Sequence, residues 1–228
     1  MKLLAIDTAT EQCSAALLID GAIRSRLLPT ARGHADTILP MIDALLMEQG
    51  CKVRDLDCLA FGRGPGSFTG VRIAVSVIQG LALATRVPVV GVSNLAAVAR
   101  QAAVTLELKA AQRILVCMDA RMHETYWATY TVLPDGMVEI EGEEQLGGPD
   151  SVVMCGRYAA AVGTAWGAHP ELMQRLAKEQ CAPVPMSMLP RAIEVAELGA
   201  AAYSAGAGVN AADAQPVYLR DNVVAVSR

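Results

Sequence analysis

The glycine-rich loop of this sequence reads Gly62-Arg63-Gly64-Pro65-Gly66-Ser67-Phe68-Thr69-Gly70-Val71-Arg72-Ile73. It follows a strand-like run at residues 56–61 and opens an apolar, helix-like run at residues 71–84. Glycine has no Cβ atom, so a backbone built from it can approach its neighbours closely. Between a strand and a helix, such a loop either binds a ligand through its backbone or packs tightly on another part of the chain.

The loop does not match the two common nucleotide-binding motifs. A P-loop carries a lysine directly after its last glycine, and this loop has no lysine. Its glycine spacing, G-x-G-x-x-x-G, also differs from the G-x-G-x-x-G of dinucleotide-binding folds. Two readings stay open. The loop binds an anion at the helix N-terminus with help from Arg63 and Arg72, or it is a tight connector with Ser67 or Thr69 as helix cap.

Composition excludes several classes of protein. The 228 residues are 53% hydrophobic and only 18% charged, against about 25% charged in an ordinary soluble domain. We therefore expect a partner to cover part of the surface. The formal net charge is -4 without a basic stripe, which argues against binding nucleic acid unaided. The sequence has no secretory signal and no uninterrupted apolar run of membrane-spanning length, so we expect a cytoplasmic protein without membrane contact.

The cysteines and histidines do not form a recognisable metal or nucleophile motif. None of the six cysteines is in a C-x-x-C pair, and we expect reduced, mostly buried thiols. The histidines, His34, His123 and His169, lack the H-E-x-x-H spacing, and no G-x-S-x-G elbow is present. The sequence therefore predicts neither a metal site nor catalytic residues, and His34 is expected to cap a helix or lie at the surface.

An internal repeat indicates two related lobes. Residues 3–21 and residues 114–136 both read as a strand, an aspartate, a polar turn, a second strand and Asp-Gly. The aspartates that end the first strand of each copy are Asp7 and Asp119. We predict an α/β protein in which each lobe is a mixed sheet with helices. Residues 1–104 with about 206–228 form the first lobe, and residues 105–205 form a smaller second lobe.

Two helices are predicted at residues 34–49 and 71–84, with Pro40 in the first turn of the former. Both are apolar on more than one side, which indicates either deep burial or a surface shared with a partner. A charge introduced at Leu45 is expected to break that partner contact without unfolding the lobe. The candidate interface residues are His34, Ile38, Leu39, Met41, Ile42, Leu45, Leu46, Arg72, Val75, Ser76 and Gln79.

A second group of residues is suited to contact phosphate. Asp7-Thr8-Ala9-Thr10 follows the first strand, where an aspartate can hold a metal-bound water and hydroxyls can hold phosphate; an Asx turn is the alternative. The candidate nucleotide or phosphate contacts are Asp7, Thr8, Thr10, Arg63, Gly64, Gly66, Asp119 and Arg121.

Four motifs together carry a family resemblance. They are the glycine-rich loop, Ile6-Asp7-Thr8-Ala9-Thr10, Asp119-Ala120-Arg121 and the closing Pro216-Val217-Tyr218-Leu219-Arg220. Over essentially its whole length the sequence resembles the bacterial tRNA threonylcarbamoyladenosine biosynthesis proteins of the TsaB family, formerly YeaZ. The resemblance implies a two-lobed actin/sugar-kinase/Hsp70-like fold, known as ASKHA, and a role in placing threonylcarbamoyl on the tRNA adenosine next to the anticodon.

The resemblance also implies partners. The family acts with a catalytic paralogue, TsaD, and an ATPase, TsaE, and it forms a homodimer when the partner is missing; tRNA is met only through the complex. TsaD binds a metal through H-x-x-x-H, and the corresponding positions here are Asn94 and Val98. Valine has no ligand atom, so the resemblance implies a non-catalytic subunit. It holds no tightly bound cofactor, and ATP or ADP with Mg²⁺ would be shared within the complex.

Two other functions are alternatives. A self-sufficient ATPase or small-molecule kinase of the same fold would use Asp7, Thr8 and the glycine-rich loop to bind nucleotide. A protease is disfavoured because the metal-ligand spacing is missing.

Overall fold

The computed structural model describes residues 1–30, 33–178 and 185–220, and these form two mixed β-sheets with helices on their faces. The strands of the first sheet are β1 (Lys2–Asp7), β2 (Gln12–Ile19), β3 (Ala22–Pro29), β4 (Cys58–Gly62) and β5 (Val89–Val92). Their order in the sheet is β3-β2-β1-β4-β5. The pairs β1–β2 and β2–β3 are antiparallel, whereas β1–β4 and β4–β5 are parallel.

The second sheet repeats this topology in shorter form, in the order β8-β7-β6-β9. An antiparallel meander is again followed by a strand parallel to its first member. Its strands are β6 (Arg113–Asp119), β7 (Thr125–Val132), β8 (Val138–Gly147) and β9 (Ala160–Val162). Asp7 and Asp119 end the first strand of each sheet. The predicted α/β fold of two lobes, each a mixed sheet with helices, is confirmed.

Asp20 and Gly21 form the turn of the hairpin that joins β2 to β3. Both residues have positive φ angles, 49° and 88°. Such a pair is typical of the type I′ turn, whose twist matches that of the flanking strands.

Two helices cover one face of the first sheet, namely α1 (His34–Glu48) and α2 (Phe68–Thr85). Helix α2 begins three residues before the predicted start because Ser67 caps it and accepts from the Gly70 N–H. Pro40 lies inside α1 rather than in its first turn. It is exposed, as is Asp36, so water can reach the carbonyl that the missing proline N–H leaves without a helical partner.

Two further helices each pack on the sheet of the lobe to which the sequence did not assign them. Helix α3 (Asn94–Thr105), assigned above to the first lobe, packs on the second sheet. Two short helices follow, α4 (Ala165–Ala168) and α5 (Pro170–Lys178), and then α6 (Ala192–Ser204). Helix α6, assigned above to the second lobe, covers the other face of the first sheet. There Gly199 is required, because a Cβ atom would lie 2.7 Å from that of Ala60.

Four cysteines, Cys13, Cys51, Cys58 and Cys117, are buried free thiols, and Cys155 is an exposed one. Burial raises the pKa of the Cys13 thiol to about 11, which keeps it protonated and unreactive. The sixth, Cys181, lies outside the described residues.

Helix α2 is also long and apolar enough, by length and composition alone, to span a membrane. This is weak evidence, since the core helix of a soluble protein passes the same test, and six residues of α2 are buried against the first sheet.

Candidate functional site

The glycine-rich loop packs on the tip of the β1–β2 hairpin. The Ser67 N–H donates to the Ala9 carbonyl at 2.7 Å, and the Thr8 hydroxyl donates to the Gly70 carbonyl at 2.7 Å. A Cβ atom at Gly66 would lie 2.8 Å from Ala9, and one at Gly70 would lie 2.0 Å from the Thr8 carbonyl oxygen. These glycines are therefore needed because another part of the same chain lies against them.

Asp7 is sealed beneath this loop. Its carboxylate accepts from the Asn94 amide and from the Ala9 N–H at 3.2 Å, and a Cβ atom at Gly62 would overlap it at 2.0 Å. The Asn94 amide oxygen in turn accepts from the Gly64 N–H at 2.7 Å. Asp7 is fully buried, and this desolvation raises its pKa to about 7. In this arrangement a ligand cannot reach the carboxylate without displacing Asn94.

A cavity of about 930 Å³ lies between the two lobes, above the loop. Its first-lobe wall contains Thr10, Gly66 and the start of α2, and its second-lobe wall contains Asp119 and Arg121. The remaining lining includes Glu11, His34, Tyr126, Thr164 and the segment from Val217 to Arg220.

The polar groups of this cleft suit an anion. Phe68 and Thr69, the first residues of α2, are exposed at its wall, where the N–H groups of a helix N-terminus favour negative charge. Arg121 donates to Glu11 at 2.9 Å and contacts Asp119 at 3.3 Å. The Thr10 hydroxyl is buried without a hydrogen-bond partner among the described residues. The helix N-terminus, the hydroxyl and the guanidinium therefore line one cavity, together with the carboxylates of Glu11 and Asp119.

The C-terminal segment crosses the cleft from one lobe to the other. The Val217 N–H donates to the Arg63 carbonyl at 2.8 Å, and the Arg72 Nε donates to the Tyr218 hydroxyl at 2.7 Å. Arg220 donates to the Ala120 carbonyl of the second lobe at 3.2 Å. The segment thus closes one side of the cleft.

Comparison with known proteins identifies the family. A model described as TsaD, tRNA N6-adenosine threonylcarbamoyltransferase, matches residues 28–225. The tRNA threonylcarbamoyladenosine biosynthesis protein TsaB of Escherichia coli is 39% identical over 98% of this chain and 96% of its own length. TsaB of Haemophilus influenzae is 36% identical over 98% and 95%. The chain belongs to the TsaB family.

A solved structure agrees with this assignment. YeaZ from Pseudomonas aeruginosa is 41% identical, and it matches with a TM-score of 0.85 over 96% of this chain and 99% of that chain. Membership in the TsaB family places the protein in tRNA threonylcarbamoyladenosine biosynthesis.

The structure of this TsaB-family protein separates the candidate phosphate contacts into two groups. Those that line the cleft are Thr10, Gly66, Asp119 and Arg121. Asp7, Thr8 and Gly64 are buried and bonded within the chain. Arg63 points across to Glu144 of β8, at 3.4 Å. The predicted phosphate contacts are therefore not all in one place. One side of the glycine-rich loop packs against Asp7 in the interior, and the other side faces the cleft and the second lobe.

Several cleft residues were missed by sequence reasoning, namely Glu11, Phe68, Tyr218 and Arg220. Tyr218 and Arg220 belong to the closing motif on which the family resemblance partly rests, so the sequence did mark these residues. The motif does not reveal that they lie over the glycine-rich loop. Phe68 stacks under Arg72, whose guanidinium carbon lies 3.4 Å from the ring centroid.

Most of the predicted interface residues on helix α1 are buried within the chain. Its apolar side chains face the first sheet of the same chain, and those that do so are Ile38, Met41, Ile42, Leu45 and Leu46. His34 is also buried and contacts the Thr10 carbonyl at 2.9 Å. Only Leu39 of the α1 candidates is exposed, at 50%. A charge at Leu45, which is 1% exposed, would enter the core rather than test a surface.

Helix α2 retains an exposed apolar side. Of its four candidates, Val75 is buried, Gln79 donates to the Ala214 carbonyl at 2.9 Å, and Arg72 and Ser76 are exposed. The exposed or half-buried residues of one face form what we call the α2 outer strip: Ile73, Ser76, Val77, Gly80, Leu83 and Ala84. Leu83 is 79% exposed.

Proposed function

We propose that this TsaB-family protein is a non-catalytic scaffold and activator of the complex that places threonylcarbamoyl on the tRNA adenosine next to the anticodon. It pairs with the catalytic paralogue TsaD, recruits the ATPase TsaE and meets tRNA only through the complex, in the cytoplasm. Alone, it forms a homodimer. It has no tightly bound cofactor, and ATP or ADP with Mg²⁺ is shared within the complex.

The observation that carries the non-catalytic role is the bonding of Asn94. This residue and Val98 occupy the positions of the metal-binding histidine pair that the family resemblance assigns to TsaD. Both polar atoms of the Asn94 side chain are used within the chain, on Asp7 and on the Gly64 N–H. Val98 is fully buried in the core beneath the second sheet. These two positions therefore stabilise the fold and offer no ligand pair to a metal ion.

The α2 outer strip supports the scaffold role. A helix that belongs wholly to one core presents polar residues to solvent, but this strip combines apolar residues with the small Gly80 and Ala84. No atom of the described residues lies within 4 Å of the position that a Cβ atom would take at Gly80, so a partner helix has room to approach there. TsaD is the occupant we assign to this strip, and a second copy of the chain replaces it in the homodimer.

Copurification with TsaD tests the assignment. Leu83→Glu introduces a charge on the strip at a side chain outside the core, so the fold should be retained while TsaD binding is lost. Val153→Glu is the matched control, because Val153 is 64% exposed on the second lobe. We expect wild type and Val153→Glu to retain TsaD. Equal retention by Leu83→Glu, with an unchanged circular dichroism spectrum, would remove the strip from the interface.

A second candidate function is a self-sufficient ATPase or kinase, and the anion-suited cleft favours it. Calorimetry with ATP and Mg²⁺, followed by a phosphate-release assay, separates the two. Scaffold function predicts no turnover by the isolated chain. Tight nucleotide binding with turnover, abolished by Arg121→Ala but not by Arg157→Ala, would replace the scaffold proposal.

A further inference from the structure

The second lobe brings together two of the three histidines, although their spacing in sequence predicts no metal site. His123 lies in the turn between β6 and β7, and His169 follows α4. Glu171 lies in the first turn of α5. One ligand atom from each of these residues lies within 4.8 Å of the other two. The fold thus joins three residues that no single local sequence motif could include.

The distances within this cluster suit a small metal ion. His123 Nε2 lies 3.4 Å from Glu171 Oε1, and His169 Nδ1 lies 3.8 Å from the same oxygen. A tetrahedral zinc ion bound at about 2.0–2.2 Å holds its N and O ligands about 3.4 Å apart. The two imidazole rings are 5.3 Å apart and nearly perpendicular, at 78°. Only small side-chain adjustments separate this arrangement from a coordination sphere.

His169 is the unusual member of the cluster. Its side chain is only 6% exposed, yet Nε2 has no hydrogen-bond partner among the described residues, and the same is true of Glu171 Oε1. Buried polar atoms without partners are rare because each forfeits its hydration. An ion bound by His169 Nδ1 and Glu171 Oε1 would give this carboxylate oxygen the partner that it lacks among the described residues.

Asp119 supplies the matching outer contact. Its Oδ1 lies 3.4 Å from His169 Nε2, on the side of the ring opposite Nδ1. Metal-binding histidines usually donate their second ring N–H to a carboxylate, which fixes the ring and its tautomer. With Nδ1 on the ion, Nε2–H would donate to Asp119. Both nitrogens of the buried ring are then explained by one arrangement.

The turn that carries His123 is held in an uncommon conformation. Arg121, Met122 and His123 are consecutive left-handed residues, with φ angles of 61°, 53° and 59°. Non-glycine residues adopt this region at an energetic cost. The conformation brings the His123 ring against His169 while leaving most of its surface in solvent, since its side chain is 74% exposed.

We propose that His123, His169 and Glu171 bind one divalent transition-metal ion, Zn²⁺ by preference, with Asp119 orienting His169. Two imidazoles and a carboxylate are a known zinc ligand set that leaves a fourth position for water. The exposed side of His123 is where that position opens to solvent. The ion ties the β6–β7 turn to the start of α5 and thereby fixes the wall of the cleft that contains Asp119 and Arg121.

Calorimetric titration of the tag-free, chelator-treated full chain with Zn²⁺ alone tests this proposal. We expect one equivalent to bind at micromolar concentration or below, and Co²⁺ in its place to give a visible d–d absorption band. His123→Ala and Glu171→Gln should each weaken binding about 10-fold or more, and Asp119→Asn about 10- to 100-fold. His123 is exposed, so its variant is expected to fold even if one at His169 does not.

Met122→Ala is the matched control, since Met122 lies in the same left-handed turn and is 65% exposed. It should bind Zn²⁺ like the wild type. Failure of the wild type to bind Zn²⁺ would overturn the proposal, and the contacts of His169 with Asp119 and Glu171 would then be purely structural. Binding that persists unchanged in both His123→Ala and Glu171→Gln would overturn it too, because the ion would then lie elsewhere, for example at the exposed Cys155 thiol.

Discussion

The side chain of Asn94 joins three parts of the chain that are distant in sequence. It connects the end of β1 through Asp7, the glycine-rich loop through Gly64, and the start of α3, where it lies. Its neighbour Ser93 caps the same helix by accepting from the Ala96 N–H at 3.1 Å. In the proposed non-catalytic role, this position serves the fold instead of holding a metal ion.

Asn94→Ala should therefore destabilise the protein. It leaves Oδ2 of Asp7 and the Gly64 N–H each without its buried partner, and we expect a loss of about 1–3 kcal/mol in the free energy of unfolding. Urea denaturation measures this loss. Asn210→Ala is the control, because Asn210 is exposed and makes no side-chain cap. Equal stability of the two variants would contradict the role given to Asn94.

Asp7 should make stability depend on pH. Burial raises its pKa from an ordinary 3.8 to about 7, so between these values the folded chain holds a proton that the unfolded chain has lost. The contribution of Asp7 to the free energy of unfolding therefore falls as pH rises through this window. Asp7→Asn should remove that contribution, whereas the exposed control Asp43→Asn should not. Parallel pH profiles for wild type and Asp7→Asn would contradict this assignment.

At this scale the sequence identified the right residues but not their bonds. Asp7 and Asn94 were both singled out, the first by its place after a strand and the second by its place in the family motif. Their hydrogen bond joins residues 87 positions apart, and such a pairing depends on the fold rather than on local pattern. For the same reason, the cluster of His123, His169 and Glu171 could not be predicted from local sequence pattern.

At the scale of elements, the position of α2 depends on the glycines that precede and enter it. Gly70 lies in its first turn, where a Cβ atom would overlap the Thr8 carbonyl oxygen at 2.0 Å. Gly80 lies further along, on the α2 outer strip, and no atom in the described part of the chain lies within 4 Å of the position of an added Cβ atom. The two glycines of one helix therefore serve opposite purposes, close intramolecular packing and open space.

Gly70→Ala and Gly80→Ala form a matched pair of substitutions within α2. Gly70→Ala should push the helix from the hairpin tip and cost about 1–3 kcal/mol of stability. Gly80→Ala should stabilise the isolated chain by about 0.5–1 kcal/mol, because alanine is the better helix former. Thermal and urea unfolding measure both. A neutral Gly70→Ala would show that the close packing at Thr8 is dispensable.

The sequence predicted these elements better than their orientation. Helices near residues 34–49 and 71–84 were correctly expected from their apolar character. Apolar residues on several sides of a helix do not reveal which side faces its own sheet, so buried Leu45 and exposed Leu83 looked alike. Of the α1 candidates for a partner surface, only Leu39 is exposed in the structure.

At the scale of the whole molecule, the two lobes are tied together by several connections. Helices α3 and α6 pack against each other, and Arg100 pairs with Glu197 between them at 2.8 Å. Arg63 pairs with Glu144 across the lobes, and the segment from Val217 to Arg220 crosses the cleft. Such a frame suits a scaffold that presents a fixed surface to its partners.

The repeat of Asp7 and Asp119 predicted the two lobes and their shared topology, but not which lobe receives each connecting helix. Helices α3 and α6 are both rich in alanine and apolar residues. Either could cover either sheet as far as their patterns tell. In the structure α3 packs on the second sheet and α6 on the first, the reverse of the predicted assignment. The amino-acid composition of a helix does not determine which sheet it covers.

Reconstitution of tRNA threonylcarbamoyl transfer tests the central proposal most directly. The reaction would contain TsaD, TsaE, the threonylcarbamoyl-adenylate donor and substrate tRNA, with this chain omitted, present as wild type, or present as Leu83→Glu or Val153→Glu. We expect transfer with wild type and Val153→Glu, and transfer near background without the chain or with Leu83→Glu. Full transfer without the chain, or transfer by the chain without TsaD, would contradict it.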